Sequence, residues 1–141
     1  MVSETSNPDS DVARRFVGAW RYVGATVDGK PDAARGPNPK GLIVYDPSGH
    51  MAVHVAPEKP ARPGGGELTP ADVKAALTGV VAYFGVYSID ERAGTVTHHK
   101  HSSVQPDDGG DVVRAYEFAG DRLILRPVEA KNTAIVWERI T

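Results

Sequence analysis

TVTHHKHSSV, residues 95–104, holds three of the chain's five histidines. Its meaning depends on the element that carries it. The run continues from GVYSIDERAGTV (85–96), which reads as a strand, a turn and the start of the next strand. Successive side chains of a strand point to opposite faces. One face then carries Val96, His98, Lys100, Ser102 and Val104, and the other Thr97, His99, His101 and Ser103. Only the first is bracketed by aliphatic residues. It is therefore predicted to face a core, with His98 inside and His99 and His101 outside.

The same reading extends in both directions. Downstream, QPDDGGD (105–111) is a turn, VVRAYEF and RLILRP form a hairpin around AGD, and NTAIVWERI (132–140) closes the chain. Upstream, GLIVYDPSGHMAVHV (41–55) is a hairpin turning at DPSG. GAWRYVGATVDGK (18–30) alternates Trp20, Tyr22 and Gly24 against Arg21 and Val23 and turns at Asp28-Gly29. PDAARGPNPK (31–40) is a loop. DSDVARRF begins a short helical turn capped by Ser10 or Asp11. LTPADVKAALTGVVAYF (68–84) is the one convincing helix. Thr69 is its N-cap, Pro70 its first position, and Val73, Ala76, Leu77, Val80 and Val81 a stripe that packs on a sheet. APEKPARPGGGE (56–67) can be neither strand nor helix, and whether it is a lid or a tether stays open. About eight short strands joined by tight turns predict an all-β fold, an antiparallel up-and-down barrel with one mid-chain helix.

Composition narrows the field. A chain of 141 residues is long enough for one cored domain, expected over 11–141 behind a disordered leader at 1–10. The net charge of −2 and a pI near 6.2 argue against a nucleic-acid partner. The chain contains no cysteine, which excludes disulfides and thiolate chemistry. No apolar run is long enough for a membrane span, and the polar N-terminus lacks a signal-peptide core, so a cytoplasmic location and no membrane partner are expected.

Gly18-Ala19-Trp20 resembles the lipocalin/calycin signature. Arg139, after Trp137, is similar to the arginine that packs across that tryptophan and closes one barrel end. More closely, the chain resembles the bacterial and fungal lipocalin-like domain family of small intracellular barrels. The matching pieces are FVGAWRYV, GLIVYDPSGHMAV, the helix ahead of YFGVYSID, TVTHHKHSSV, GDRLILRP and IVWERI, in order across nearly the whole chain. The resemblance implies a barrel with an internal cavity for a small molecule. Related barrels include both carriers and enzymes. The secreted-transporter role does not carry over, because disulfides and a secretion signal are missing.

In a barrel, alternate residues face the lumen. Trp20, Tyr22, Met51, Val53, Val55, Gly85, Tyr87, Ile89, Arg114, Tyr116, Leu123 and Leu125 are predicted to face inward, and His50 and His54 outward or at the rim. The expected ligand-binding set is Tyr22, Met51, Val53, Tyr87, His98, Lys100, Arg114, Tyr116 and Leu125. Such a mixture of apolar wall and a few directional groups is how small-molecule sites are built. His98 is equally read as a buried histidine held by a neighbour, and Lys100 as a side chain leaving the barrel mouth. Zinc needs three or four ligands from one side. His99 and His101 supply at most two, so no metal and no cofactor are expected. Nucleophile, phosphate-loop and dinucleotide motifs are absent.

The first functional reading is an intracellular barrel that binds a lipophilic or aromatic metabolite. The alternative is a cofactor-independent isomerase, cyclase or lyase in which His98 moves a proton and Arg114 or Tyr116 stabilises an oxyanion. A third is an interaction domain using the outer histidine face. A homodimer is left open.

Overall fold

The computed structural model describes residues 10–58, 66–106 and 109–141. Residues 1–9 of the expected leader and 59–65 of the Pro/Gly loop lie outside these ranges. Two helices and nine strands occur among the described residues. They are α1 (Asp11–Phe16), β1 (Gly18–Val27), β2 (Lys30–Pro31), β3 (Lys40–Tyr45), β4 (His50–Ala56), α2 (Pro70–Leu77), β5 (Val81–Asp90), β6 (Thr95–Ser103), β7 (Val112–Ala119), β8 (Arg122–Pro127) and β9 (Thr133–Arg139).

Every strand pairs antiparallel with its neighbour, in the order β1-β3-β4-β5-β6-β7-β8-β9, and β9 returns to pair with β1. Eight strands thus close a barrel, and the two-residue β2 hangs on the end of β1. This is the expected up-and-down barrel. Closure leaves no long unpaired edge. Inward residues form one core that includes Trp20, Tyr22, Ile43, Tyr45, Val96, Leu123 and Trp137, all buried. Full burial of each large apolar side chain contributes about 1.5–3 kcal/mol.

One barrel end is stoppered by α1. Ser10 caps it, accepting from the Ala13 amide at 3.0 Å. Phe16 at its end is fully buried, edge-on to Tyr45, Tyr116 and Phe118 at 5.0–5.2 Å. The Trp20 indole donates to the Phe16 carbonyl at 2.9 Å. The Arg139 guanidinium lies 4.1 Å from the Trp20 ring centroid and donates to the carbonyls of Val17 and Arg15. Gly18 fits nothing larger: its φ is 132°, and a Cβ there would come within 2.8 Å of Arg139 Nη1.

Three expectations are corrected. The helix stops at Leu77, and none of its residues is buried; Val73 is 44% exposed. The helical part of the stripe, Val73, Ala76 and Leu77, is therefore not buried against a sheet, whereas Val81 packs on the core as a residue of β5. The capping box between Thr69 and Asp72 starts the helix locally. Gly79, at φ 77°, ends it, and Val81 is already a strand residue opposite Val55. Second, Gly24 does not share the face of Trp20 and Tyr22. The β1–β9 register shifts after Tyr22, so that Gly24 meets Val136 and Ala25 meets Ile135. Third, β6 does not keep one alternation. Gly85 pairs with Lys100 but Phe84 pairs with Ser102, which leaves His101 in a bulge. Beyond it Ser103, opposite Tyr83, takes the inward face, while Ser102 and Val104 leave it and are exposed.

Candidate ligand-binding site

The inward alternation of β6 up to the bulge places His98 in the barrel at 2% exposure. Both ring nitrogens are engaged by phenols. Tyr45 Oη of β3 is 2.6 Å from Nε2, and Tyr83 Oη of β5 is 2.7 Å from Nδ1. Tyr87, opposite His98 in the β5–β6 register, instead donates to the Asp46 carbonyl at 2.9 Å and stacks edge-on to Tyr45.

Burial dominates the electrostatics of this triad. It pushes the His98 pKa down to about 3, helped by Arg114 and His99. It pushes Tyr83 up to about 12 against the pull of Arg114. Tyr45 is also raised, by its burial and then by the neighbouring phenols Tyr83 and Tyr87. The imidazole and both phenols are therefore neutral at physiological pH.

His98 and Tyr83 of the triad border a cavity of about 150 Å3 inside the barrel. Its wall is apolar on most sides, from Ile43, Val53, Val55, Val81, Leu125 and Ile135. Among the described residues the polar lining consists of Tyr22, Tyr83, His98, Trp137, Arg35 and Arg114, with no carboxylate. Arg114 keeps only 21% of its side chain exposed. It donates to its neighbour Val113's carbonyl at 3.2 Å and stands 3.7 Å from Glu129, which is largely in solvent. Arg35 reaches in from the 32–39 loop and donates to the Gly79 carbonyl at 2.8 Å, tying that loop to the α2–β5 connection. The Trp137 indole N–H is buried and finds no acceptor among the described residues.

Five of the nine expected ligand-binding residues border this cavity: Tyr22, Val53, His98, Arg114 and Leu125. The other four face inward but lie elsewhere. Met51 is buried in the core opposite Gly85. Tyr87 is spent on the β3–β4 turn. Lys100 places its ammonium 5.8 Å from the Tyr83 ring centroid. Tyr116 packs on Phe16 at the stoppered end, away from His98, so the expected trio of His98, Arg114 and Tyr116 does not converge. Tyr45, Tyr83 and Trp137 were not anticipated. Tyr83 shares the parity of Tyr87, and Tyr45 that of Ile43, so strand alternation could have found both.

The remaining histidines serve the outer surface. His99 bonds Ser88 Oγ at 2.9 Å and Asp111 at 3.0 Å. His50 bonds Ser48, His54 is exposed, and the exposed His101 stands edge-on to Phe84. No three His, Asp or Glu side chains converge as a metal site would require among the described residues. Among the described residues no helix is long and apolar enough to cross a membrane.

Comparison with known proteins follows the architecture. No curated protein matches the chain. Among solved structures, a point mutant of the fluorescent protein UnaG aligns over 91% of this chain and 98% of that one, at 16% identity and a TM-score of 0.40. The profile of the lipocalin-like domain matches residues 17–140, from the residue before Gly-x-Trp to the one after Arg139, and the chain belongs to that family.

Proposed function

We propose that the barrel binds a small lipophilic or aromatic molecule about the size of a single ring. The observation that carries this reading is the internal cavity of about 150 Å3, with an apolar wall and a short arc of polar groups. An apolar cavity of that volume is large enough for benzene. The arc of Tyr83, His98, Arg114 and Trp137 would orient the ligand.

The geometry favours binding over proton transfer by His98. Both imidazole nitrogens already have phenol partners, and a pKa near 3 makes the ring a poor base at neutral pH. An isomerase, cyclase or lyase working through this histidine would need a free nitrogen facing its substrate.

A thermal-shift and native mass-spectrometry survey of monocyclic aromatic acids, phenols, ketones and hydrocarbons tests the proposal. A ligand present at about 100 times its Kd stabilises by about 2.7 kcal/mol. That corresponds to a rise of roughly 5–10 °C in Tm for a chain of this size. A flat response across the whole survey, with no retained adduct, overturns the binding reading.

A further inference from the structure

The hydrogen-bond triad has a direction, and the direction selects the ligand. A neutral imidazole donates from one nitrogen and accepts at the other. If Nε2 carried the proton, it would donate to Tyr45, and the Tyr45 hydroxyl proton would need another acceptor. Tyr45 is 0% exposed, and His98 is the only partner its hydroxyl has among the described residues. A buried donor without an acceptor costs about 1–3 kcal/mol. The opposite arrangement pairs the fully buried Tyr45 hydroxyl and both imidazole nitrogens. Tyr45 donates to Nε2, Nδ1–H donates to the Tyr83 oxygen, and the Tyr83 proton is left to point elsewhere. Tyr83 borders the cavity.

Two further observations agree. Trp137 borders the same cavity, and its buried indole N–H has no acceptor among the described residues. Among the described residues, the only charged side chains in the lining are the cations Arg35 and Arg114. The lining residues thus carry O–H and N–H donors and positive charge, and among the described residues no carboxylate borders the cavity to take a ligand's proton.

Resting on the binding reading above, we infer that the barrel selects a monocyclic aromatic carboxylate, whose anionic end accepts from Tyr83 and Trp137 in the field of the two arginines. The Tyr45–His98 pair is a positioning relay that turns the Tyr83 hydroxyl into a donor. Bonds to a charged acceptor are about twice as strong as neutral ones.

The test compares benzoate with toluene, which has nearly the same shape and no acceptor. Affinities are measured by titration calorimetry, and the two indole N–H signals are followed by nitrogen-15 NMR. Benzoate is expected to bind at least tenfold more tightly than toluene. It should shift the Trp137 indole signal and leave that of Trp20, already bonded to the Phe16 carbonyl, in place. Tyr83→Phe should weaken benzoate about tenfold more than it weakens toluene. Imidazole nitrogen-15 shifts of the wild type report the relay without any substitution, and should show His98 protonated at Nδ1. Toluene binding as well as or better than benzoate overturns the selectivity and leaves the binding reading standing. Binding of neither overturns the carboxylate inference, and a flat response across the wider survey overturns the binding reading as well. A proton at Nε2, or an unchanged benzoate affinity in Tyr83→Phe, overturns the relay.

Discussion

His98 shows how one buried residue can tie stability to pH. Its ordinary pKa is 6.5 and burial takes it to about 3 in the fold. Between these values the unfolded chain binds a proton that the folded chain refuses. Stability from this group is therefore complete above about pH 6.5 and falls as the pH drops toward 3. The slope of one proton is about 1.4 kcal/mol per pH unit. Urea unfolding of the wild type and of His98→Gln between pH 7 and about 4 measures it. The variant should lose stability more slowly by that one-proton slope, and parallel curves would show that another group carries the effect. The same residue illustrates a limit of reading by parity. Alternation puts His98 inside, but it does not say that two phenols will occupy both nitrogens.

Strands and helices differ here in how far neighbours correct them. The capping box makes α2 start at Pro70 whatever surrounds it, and the absence of buried residues makes the helix peripheral to the core. The β6 bulge is the opposite case, since it exists only because of β5. Gly85 has no side chain, so the His99 carbonyl can occupy the space where a Cβ would stand, 2.0 Å away. Gly85→Ala should therefore cost more than about 2 kcal/mol, because backbone and not a flexible side chain must move. Chemical denaturation checks the magnitude. A loss within about 0.5 kcal/mol, the range of ordinary surface substitutions, would mean that the bulge can relax. Glycine in a strand is a visible signal of a bulge or a close approach. Its consequence, the reversal of face for Ser102 and Val104, is not visible until the partner strand is in place.

At the scale of the whole barrel, closure is the organising event. β1 and β9 lie at opposite ends of the chain and pair over Trp20 to Val27 and Thr133 to Arg139. Arg139 secures the join from the side by covering Trp20 and donating to the carbonyls of Arg15, within α1, and Val17, just beyond its end. A planar guanidinium can do both at once, and an ammonium cannot. Arg139→Lys should accordingly destabilise by about 1–3 kcal/mol through a lost charge-assisted bond. Equilibrium unfolding reads that loss, and a variant as stable as the wild type would make the arginine's contact incidental.

The chain's local chemistry determined much of this protein without help from the fold. Turn residues at Asp28-Gly29 and Asp46–Gly49, the Ser10 and Thr69 caps, and period-two alternation are short-range properties. They make β-strands, hairpins and helix starts legible one after another. Gly18-x-Trp20 and Arg139 went further and gave the closed end, through family resemblance. Only the tertiary structure decided the two bulges, the exposure of α2 and the composition of the cavity. Tyr45 and His98 are 53 residues apart, and Tyr83 and His98 are 15 apart. Whether such side chains meet depends on strand register and barrel shear, which are settled by pairing across the closed sheet and not by any local run of sequence.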